Sequence, residues 1–283
     1  MKLGGSLITV RPWYEHVRRT CIVDPLNNDP RETGQRGTRL GKSSGWIFSH
    51  AIGGGQANFD EPIEDLSPRD RVILYALFNQ KGHVPELIHA FQKLVDSPQR
   101  LNNATMLDIG CGPFTAGLAL ANVAGNEVAF RYFGVDTSVQ MCALGHELAL
   151  AAQGAGGLSP QTRVSFAGSI NSIDFGQPKL GWTVVVLSYL LASASLNIEL
   201  IVREIVDACG RIGPGPVAVL YTNSALPERR LAFPEFQSRM EAAGFKCEVV
   251  ETELLTDGDR PRNIHYALFT RAPMPIPLNE VNR

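Results

Sequence analysis

From residue 103 onward, short apolar runs alternate with stretches whose apolar residues recur every three or four positions. Residues 104–109, 129–135, 163–167, 183–187 and 217–221 read as strands, and residues 114–123, 138–152, 198–208 and 234–243 as helices. Ser138 is suited to cap the helix it opens, and Pro234 and Gly244 bracket the last one as a helix start and stop do. The run 183–187 is apolar and β-branched almost throughout, the composition of a central strand covered on both faces. Two final strands, 246–252 and 264–271, follow each other without a helix between them and should pair antiparallel. Together these elements predict an α/β fold: a doubly wound, mostly parallel seven-stranded sheet with right-handed crossovers and its last strand antiparallel.

The first hundred residues break this rhythm. Residues 1–45 are rich in Gly, Arg, Asn and Pro, with loop stretches at 27–30 and 34–45, and Gly53–Gly55 is a further breaker. Order begins at Ser67-Pro68-Arg69-Asp70, which supplies a cap, a proline at the first helical position and an acid in the first turn. Val72, Ile73, Tyr75, Ala76 and Leu77 follow. Gly82 is expected to interrupt, and Pro85 to open a second helix with Leu87, Ile88, Phe91, Leu94 and Val95 on one face. The chain therefore divides into an N-terminal cap or arm over 1–100, with two helices at about 67–95, and an α/β core over 101–283. Residues 1–60 read either as a tail without fixed structure or, because they carry Trp13, Tyr14, Trp46 and Phe48, as a lid that packs these rings over the crevice at the strand ends.

Composition narrows the function classes. The chain has 283 residues, 44% of them apolar and 19% charged, enough to bury a sizeable core. A net charge of -2 gives no global nucleic-acid signal, although residues 1–42 hold eight Lys/Arg against four Asp/Glu. The five cysteines, Cys21, Cys111, Cys142, Cys209 and Cys247, are scattered and include no CxxC pair, which argues against a zinc site or a disulfide framework and fits a reducing compartment. The apolar run 184–192 is too short to span a bilayer, and the N-terminus lacks a secretory apolar region. The expectation is a cytoplasmic protein without membrane partners.

Two strand ends carry candidate chemistry. In Met106-Leu107-Asp108-Ile109-Gly110-Cys111-Gly112-Pro113 an apolar strand ends in an acid, a glycine pair and a helix start. Ligands of open α/β sheets bind at such ends, and glycine lets the backbone approach them closely. Thr115 stands where the dinucleotide fingerprint has its third glycine, and Asp108 suits a cofactor cationic at its reactive end better than a pyrophosphate. The second signal is Val135-Asp136-Thr137-Ser138, with Met141 one turn into the helix. A carboxylate at Asp136 can accept hydrogen bonds from both ribose hydroxyls of an adenosine, and Met141 can pack on the adenine face.

The first of these segments is similar to motif I of class I S-adenosylmethionine-dependent methyltransferases, and Val135-Asp136-Thr137-Ser138-x-x-Met141 to their second motif. The resemblance covers roughly residues 103–271, including the closing strand pair with the last strand inserted beside the fifth. It implies S-adenosylmethionine as cofactor, with Asp108 orienting the methionine amino group, Gly110, Cys111 and Gly112 bordering the carboxypropyl chain, and Asp136, with Thr137, at the ribose. Three departures stand out. The interval from Asp108 to Asp136 is longer than the usual ~20 residues. The third strand lacks a terminal acid, so Ser169, beside Ile170, or else Asn171 takes the adenine amine. The fourth strand ends in Ser188-Tyr189-Leu190-Leu191, without the Asn/Asp-Pro-Pro-Tyr that marks amino-methylation of adenine or glutamine. Ser188 is expected at the cofactor, Tyr14, Tyr189 and Asn223 at the acceptor pocket, and Tyr189 as the candidate catalytic contact.

The bland alternatives are plain. Asp108 and Asp136 read also as loop acids capping helices, Cys111 and Cys142 as core fillers, Ser188 and Tyr189 as the end of a buried strand, and Trp13-Tyr14 as packing. His50, His83, His89 and His265 show no ligand spacing, and His146 belongs on an outer helix face. No carboxylate cluster follows the fourth strand to hold magnesium, so the expected transfer is metal-independent. The expected reaction is in-line transfer of a methyl group to N, O or C of a small-molecule acceptor. Alternatives are an RNA methyltransferase using the basic arm and a non-catalytic S-adenosylmethionine-binding sensor or assembly protein. A nicotinamide enzyme is disfavoured by Thr115 and Asp108.

Overall fold

Burial on both faces is why the central strands read as unbroken apolar runs. The computed structural model describes residues 10–95, 97–193, 195–256 and 261–275. Strands β1 (Thr105–Ile109), β2 (Arg131–Val135), β3 (Arg163–Ala167), β4 (Thr183–Ser188), β5 (Val217–Ser224), β6 (Lys246–Leu255) and β7 (Arg262–Arg271) form one sheet in the order β3-β2-β1-β4-β5-β7-β6. The first five run parallel, and β7 is antiparallel to both β5 and β6. The fold is thus the expected doubly wound, seven-stranded α/β sheet, with β7 inserted beside the fifth strand.

Side-chain alternation along the strands splits the core in two. Met106, Val184, Val186, Leu220 and Tyr266 face one layer, while Leu107, Ile109, Val185, Leu187, Val219 and Phe269 face the other. The second layer is covered by α6 (Ile198–Ile212) and α7 (Phe233–Ala242), which present Ile201, Val202, Ile205, Phe236 and Met240. The first is covered by α1 (Pro12–Arg18), α2 (Pro68–Tyr75), α3 (Lys81–Leu94), α4 (Thr115–Ala124) and α5 (Val139–Gly154).

Three expectations about the N-terminal third are corrected. Residues 12–27, within the stretch that reads as a tail without fixed structure, are helical: α1 passes through a wide π turn at Arg19–Val23 into a last turn at Asp24–Asn27. Tyr14, Val17, Ile22 and Leu26 are all buried, and the five-residue step from Val17 to Ile22 matches the i→i+5 turn that keeps them on one stripe. Similarly, Gly82 and Pro85 do not separate two helices. From Pro68 to Leu94 the backbone is one helical rod, α2 joining α3 through a π turn at Ala76–Gln80. Pro85 removes a backbone donor, and burial of Val84, Leu87, Ile88 and Phe91 holds the rod together regardless. Finally, residues from Tyr14 to Phe91 share one continuous apolar cluster with the sheet, so over the described residues the first third is built into the core. Residues 1–9 of the expected lid lie outside the described residues.

Three of the arm's cations are paired with local acids. Arg31 pairs with Asp29 and Asp70, Arg39 with Glu32, and Lys42 with Glu64 and Asp65. Among the described residues no helix is long and apolar enough to cross a membrane.

Candidate functional site

The turn after β1 is stitched to the end of β2. The Gly110 and Cys111 N–H groups donate to the Val135 carbonyl at 2.8 and 3.0 Å. Asp136 completes the seam: one carboxylate oxygen accepts from Gly112 N at 3.0 Å and the other from Ser138 N at 2.9 Å. Burial raises the Asp136 carboxyl above its ordinary value and the nearby Asp60 charge adds to this, against the lowering by the Ser138 and Gly112 N–H groups. Ser138 caps α5 by accepting from Met141 N at 3.2 Å. Gly110 sits at φ 70°, which favours glycine, and a Cβ there would displace the end of the Leu190 side chain, 2.9 Å away.

A cavity of about 630 Å³ opens at these strand ends. Gly110, Gly112, Asp136, Thr137, Met141, Ser169, Ile170, Ser188 and Tyr189 line it, so two motifs 24 residues apart in sequence meet at one place. Four other expected site residues lie elsewhere. Asp108 is buried, and its carboxylate accepts from the Tyr132 hydroxyl at 2.6 Å. Burial pushes its carboxyl up to about 7, the Tyr132 hydrogen bond opposing and the Asp136 charge reinforcing. Cys111 is likewise buried, its thiol donating to the Gly112 carbonyl at 3.3 Å. Tyr14 packs edge-on against Trp13 in the layer where α1 meets α5, away from the cavity. Asn223 is buried at the end of β5 with its amide donating to the Tyr221 hydroxyl and the Arg229 carbonyl, and its oxygen accepting from Ser224 N. Asp108 shares a face of the sheet with Met106, toward the layer covered by α1–α5.

The cavity also has walls that the sequence did not reveal. Residues 55–60 form one side, and Tyr75, at the end of α2, another. The Gly53–Gly55 breaker marked a turn there but not its destination. Arg71, buried, shapes this segment by donating to the carbonyls of Ala51 at 2.8 Å, Asn58 at 2.6 Å and Glu61. Asp60 then fastens it to the start of α5, accepting from Ser138 Oγ at 2.8 Å, Gln140 N at 3.0 Å and Val139 N at 3.1 Å. Tyr75 lies 3.6 Å from where a Cβ on Gly112 would stand, and burial, with the Asp136 charge, pushes its phenol up to about 12. Glu204 enters from α6 beside Ser169 and Ile170, with Asn171 Nδ2 donating to it at 3.4 Å.

Tyr189 occupies the left-handed region at φ 60°, a strained conformation that marks sites more often than ordinary strand ends. Its hydroxyl donates to Glu86 Oε2 at 2.9 Å, and Arg262 Nε donates to Glu86 Oε1 at 3.0 Å. His83 stacks on its ring at 4.0 Å and 15°. Burial and the Glu86 carboxylate hold the Tyr189 phenol far above its ordinary value, so it stays protonated. Burial, with Arg262 nearby, lowers His83 to about 4, leaving a neutral ring at pH 7.

The lining thus combines three carboxylates, Asp60, Asp136 and Glu204, with apolar slabs from Met141, Ile170, Leu190 and Ile201, and includes no Lys, Arg or His among the described residues. Among the described residues no three His, Cys, Asp or Glu side chains converge as a metal site. No family model and no curated protein matches the chain. Solved structures to which it is similar include a TehB-like SAM-dependent methyltransferase from Corynebacterium glutamicum (TM-score 0.38, 16% identity, over 66% of this chain and 87% of that one). A magnesium protoporphyrin IX methyltransferase from Synechocystis with bound SAM is matched over 82% of this chain and 92% of that one (TM-score 0.42, 13% identity). TrmN from Thermus thermophilus is matched over 74% of this chain and 55% of that one (TM-score 0.46, 16% identity). At these values the likenesses decide nothing about chemistry, which rests on the residues of the cavity.

Proposed function

We propose that the protein is an S-adenosylmethionine-dependent methyltransferase acting on a small-molecule acceptor. The observation that carries this is Asp136: a carboxylate lining a cavity at the carboxyl ends of the strands, anchored between the Gly110–Gly112 turn and α5. Each of its oxygens has a second lone pair for a ribose hydroxyl. Backbone at Gly110 and Gly112 borders the methionine portion, Met141 and Ile170 sandwich the adenine, and Ser169 or Glu204 accepts from its amine, with Thr137 and Ser188 at the margins. A cavity lined by carboxylates without a cation suits a sulfonium and an ammonium better than a pyrophosphate.

The cofactor supplies a methyl group on a positively charged sulfur that leaves readily. What remains for this chain is to align the acceptor and exclude water. The wall at 55–60, held by Arg71 and Asp60, does the second, and Tyr75 and Tyr189 shape the acceptor end. Tyr189 acts by position, because its proton is committed to Glu86. In this reading no metal takes part: Asp60 and Asp136 already accept from helix and turn N–H groups. The ion pairs of Arg31, Arg39 and Lys42 favour a small molecule over RNA, since they leave less positive charge for phosphate.

Calorimetry on the full chain with S-adenosylhomocysteine and with NAD tests the cofactor, and turnover against cell extract, treated or not with RNase and EDTA, tests the rest. Binding of S-adenosylhomocysteine alone, with turnover that survives both treatments, is expected. Preference for NAD ends the proposal, RNase-sensitive turnover moves it to RNA, and binding without turnover in any extract moves it to a sensor.

A further inference from the structure

The turn along which the methionine portion of the cofactor would lie is bordered by Tyr75 and Leu190. Tyr75 stands 3.6 Å from where a Cβ on Gly112 would be and 3.4 Å from the same point on Gly55, and Phe59 packs edge-on against its ring at 5.4 Å and 76°. Leu190 stands 2.9 Å from the Cβ point of Gly110, and Tyr189, the residue before it, lines the same cavity. The Tyr189 hydroxyl donates to Glu86, which does not line the cavity, and Arg262 donates to the other Glu86 oxygen. The guanidinium of this network is therefore held beyond the Tyr189 hydroxyl, outside the lining. We propose that the methyl acceptor is an uncharged nitrogen, of an amine or a nitrogen heterocycle, seated by Tyr75 and Tyr189 in a cavity whose charged lining groups are Asp60, Asp136 and Glu204. This deepens the methyltransferase reading above and rests on it.

The cofactor carries a sulfonium, an ammonium and a carboxylate, so it brings a single net positive charge against the three lining carboxylates. An anionic acceptor would add negative charge where the lining offers no Lys, Arg or His among the described residues, and repulsion inside a cavity is weakly screened. A neutral nitrogen adds no charge. In the transfer its lone pair forms the new N–C bond, the C–S bond breaks with its electron pair going to sulfur, and the positive charge passes from sulfur to nitrogen. The cavity thus holds the same charge before and after the step, and the carboxylates and aromatic rings stabilise it at both ends. Transfer to an oxyanion or a thiolate would instead extinguish that charge, so carboxylates that favour the bound sulfonium would oppose it.

An O–H or S–H acceptor would also need a base to take its proton. Both phenols are held protonated, Tyr189 by its bond to Glu86 and Tyr75 by burial, which pushes it up to about 12. Asp60 and Asp136 already accept from N–H and O–H donors of the turn and of α5. An uncharged nitrogen has its lone pair ready, and the methylated product sheds any surplus proton to water after release.

The test uses the full-length protein. Calorimetry at saturating S-adenosylhomocysteine compares benzylamine, whose ammonium mimics the charge of the product, with benzoate, an anion of similar shape. We expect benzylamine to bind at least about tenfold more tightly, because two unit charges ~12 Å apart change an affinity by about that factor at an effective dielectric constant of ~20. Asp60→Asn and Glu204→Gln, each checked by its melt, should shrink the ratio severalfold. Incubation with methyl-deuterated S-adenosylmethionine and the small-molecule fraction of a cell extract should place the label on nitrogen, read by tandem mass spectrometry. Benzoate binding as tightly as benzylamine, binding of neither, a ratio unchanged in both variants, label on oxygen or sulfur, or no label at all overturns the inference. If the protein binds no S-adenosylhomocysteine, the cofactor reading fails, while the same comparison on the ligand-free chain still decides whether the cavity refuses anions.

Discussion

Replacing Asp136 with asparagine separates a ligand contact from a structural one. In the folded protein Asp136 accepts from Gly112 N at 3.0 Å and Ser138 N at 2.9 Å, so alanine would leave both donors without a partner and confound binding with folding. Asparagine keeps one acceptor oxygen and sets an amide against the other N–H. One lost partner in this half-buried seam costs about 1–3 kcal/mol of stability, which for a chain of this size lowers the melting midpoint by roughly 2–10 °C. On the ligand side, one of two charge-assisted bonds to the ribose disappears and the other loses its charge. That amounts to about 1.5–3 kcal/mol, or roughly 10–150-fold in Kd. Calorimetry at 25 °C, below the transition, measures this directly. A 2′,3′-dideoxy analogue of S-adenosylhomocysteine is the control, because wild type and Asp136→Asn should bind it nearly alike. If the variant binds the parent ligand as tightly as wild type does, or if it loses as much affinity for the dideoxy analogue, Asp136 does not hold a ribose.

Gly110→Ala and Gly112→Ala should each lose about 1–2 kcal/mol of stability, because both positions have positive φ. Only the first should also lose ligand affinity, because its Cβ displaces the Leu190 side chain that lines the cavity, whereas that of Gly112 meets Tyr75 at an ordinary 3.6 Å; paired melts and titrations showing equal affinity losses would refute this. Asp60→Ala should speed amide exchange at 55–60 while costing only about 1 kcal/mol or less in global stability, because Ser138 still caps α5; unchanged exchange would mean that Asp60 does not hold the wall. Asp108 supplies a pH signature. Its folded carboxyl stands at about 7, above the unfolded value of 3.8, so between these pH values the folded state holds more protons and stability falls as pH rises, levelling above 7. Asp108→Asn keeps an acceptor for Tyr132 and should flatten that slope by a few kcal/mol on the order of magnitude, read as wild type minus variant in denaturant melts from pH 4 to 7. A difference that does not change with pH would contradict the raised carboxyl.

The local rules of the chain determined the sheet and half of the cavity. Period-two and period-3.6 patterns are properties of single segments, so the seven strands and the helices α4–α7 were legible, as was the antiparallel end formed by two strands with no helix between. Gly110, Gly112, Asp136 and Met141 were legible because a strand end, a glycine turn and a capped helix start are also local, and the sheet order then brings two such ends together. Facing direction and long-range docking are not local. Asp108 belongs by pattern at the cavity and is instead taken up by Tyr132, and Asn223 is taken up by Tyr221 and Arg229. The five-residue step from Val17 to Ile22 defeats a 3.6 template, so α1 was missed until a π turn accommodated it. Pro85 reads as a break because the rule counts lost backbone bonds, whereas the rod from Pro68 to Leu94 is held by side-chain burial supplied from elsewhere in the chain. What tertiary structure alone decided is the closing side of the cavity. Residues 55–60 reach it because Arg71 gathers three carbonyls and Asp60 finds the open N–H groups of a helix some eighty positions later, pairings that no window of sequence contains.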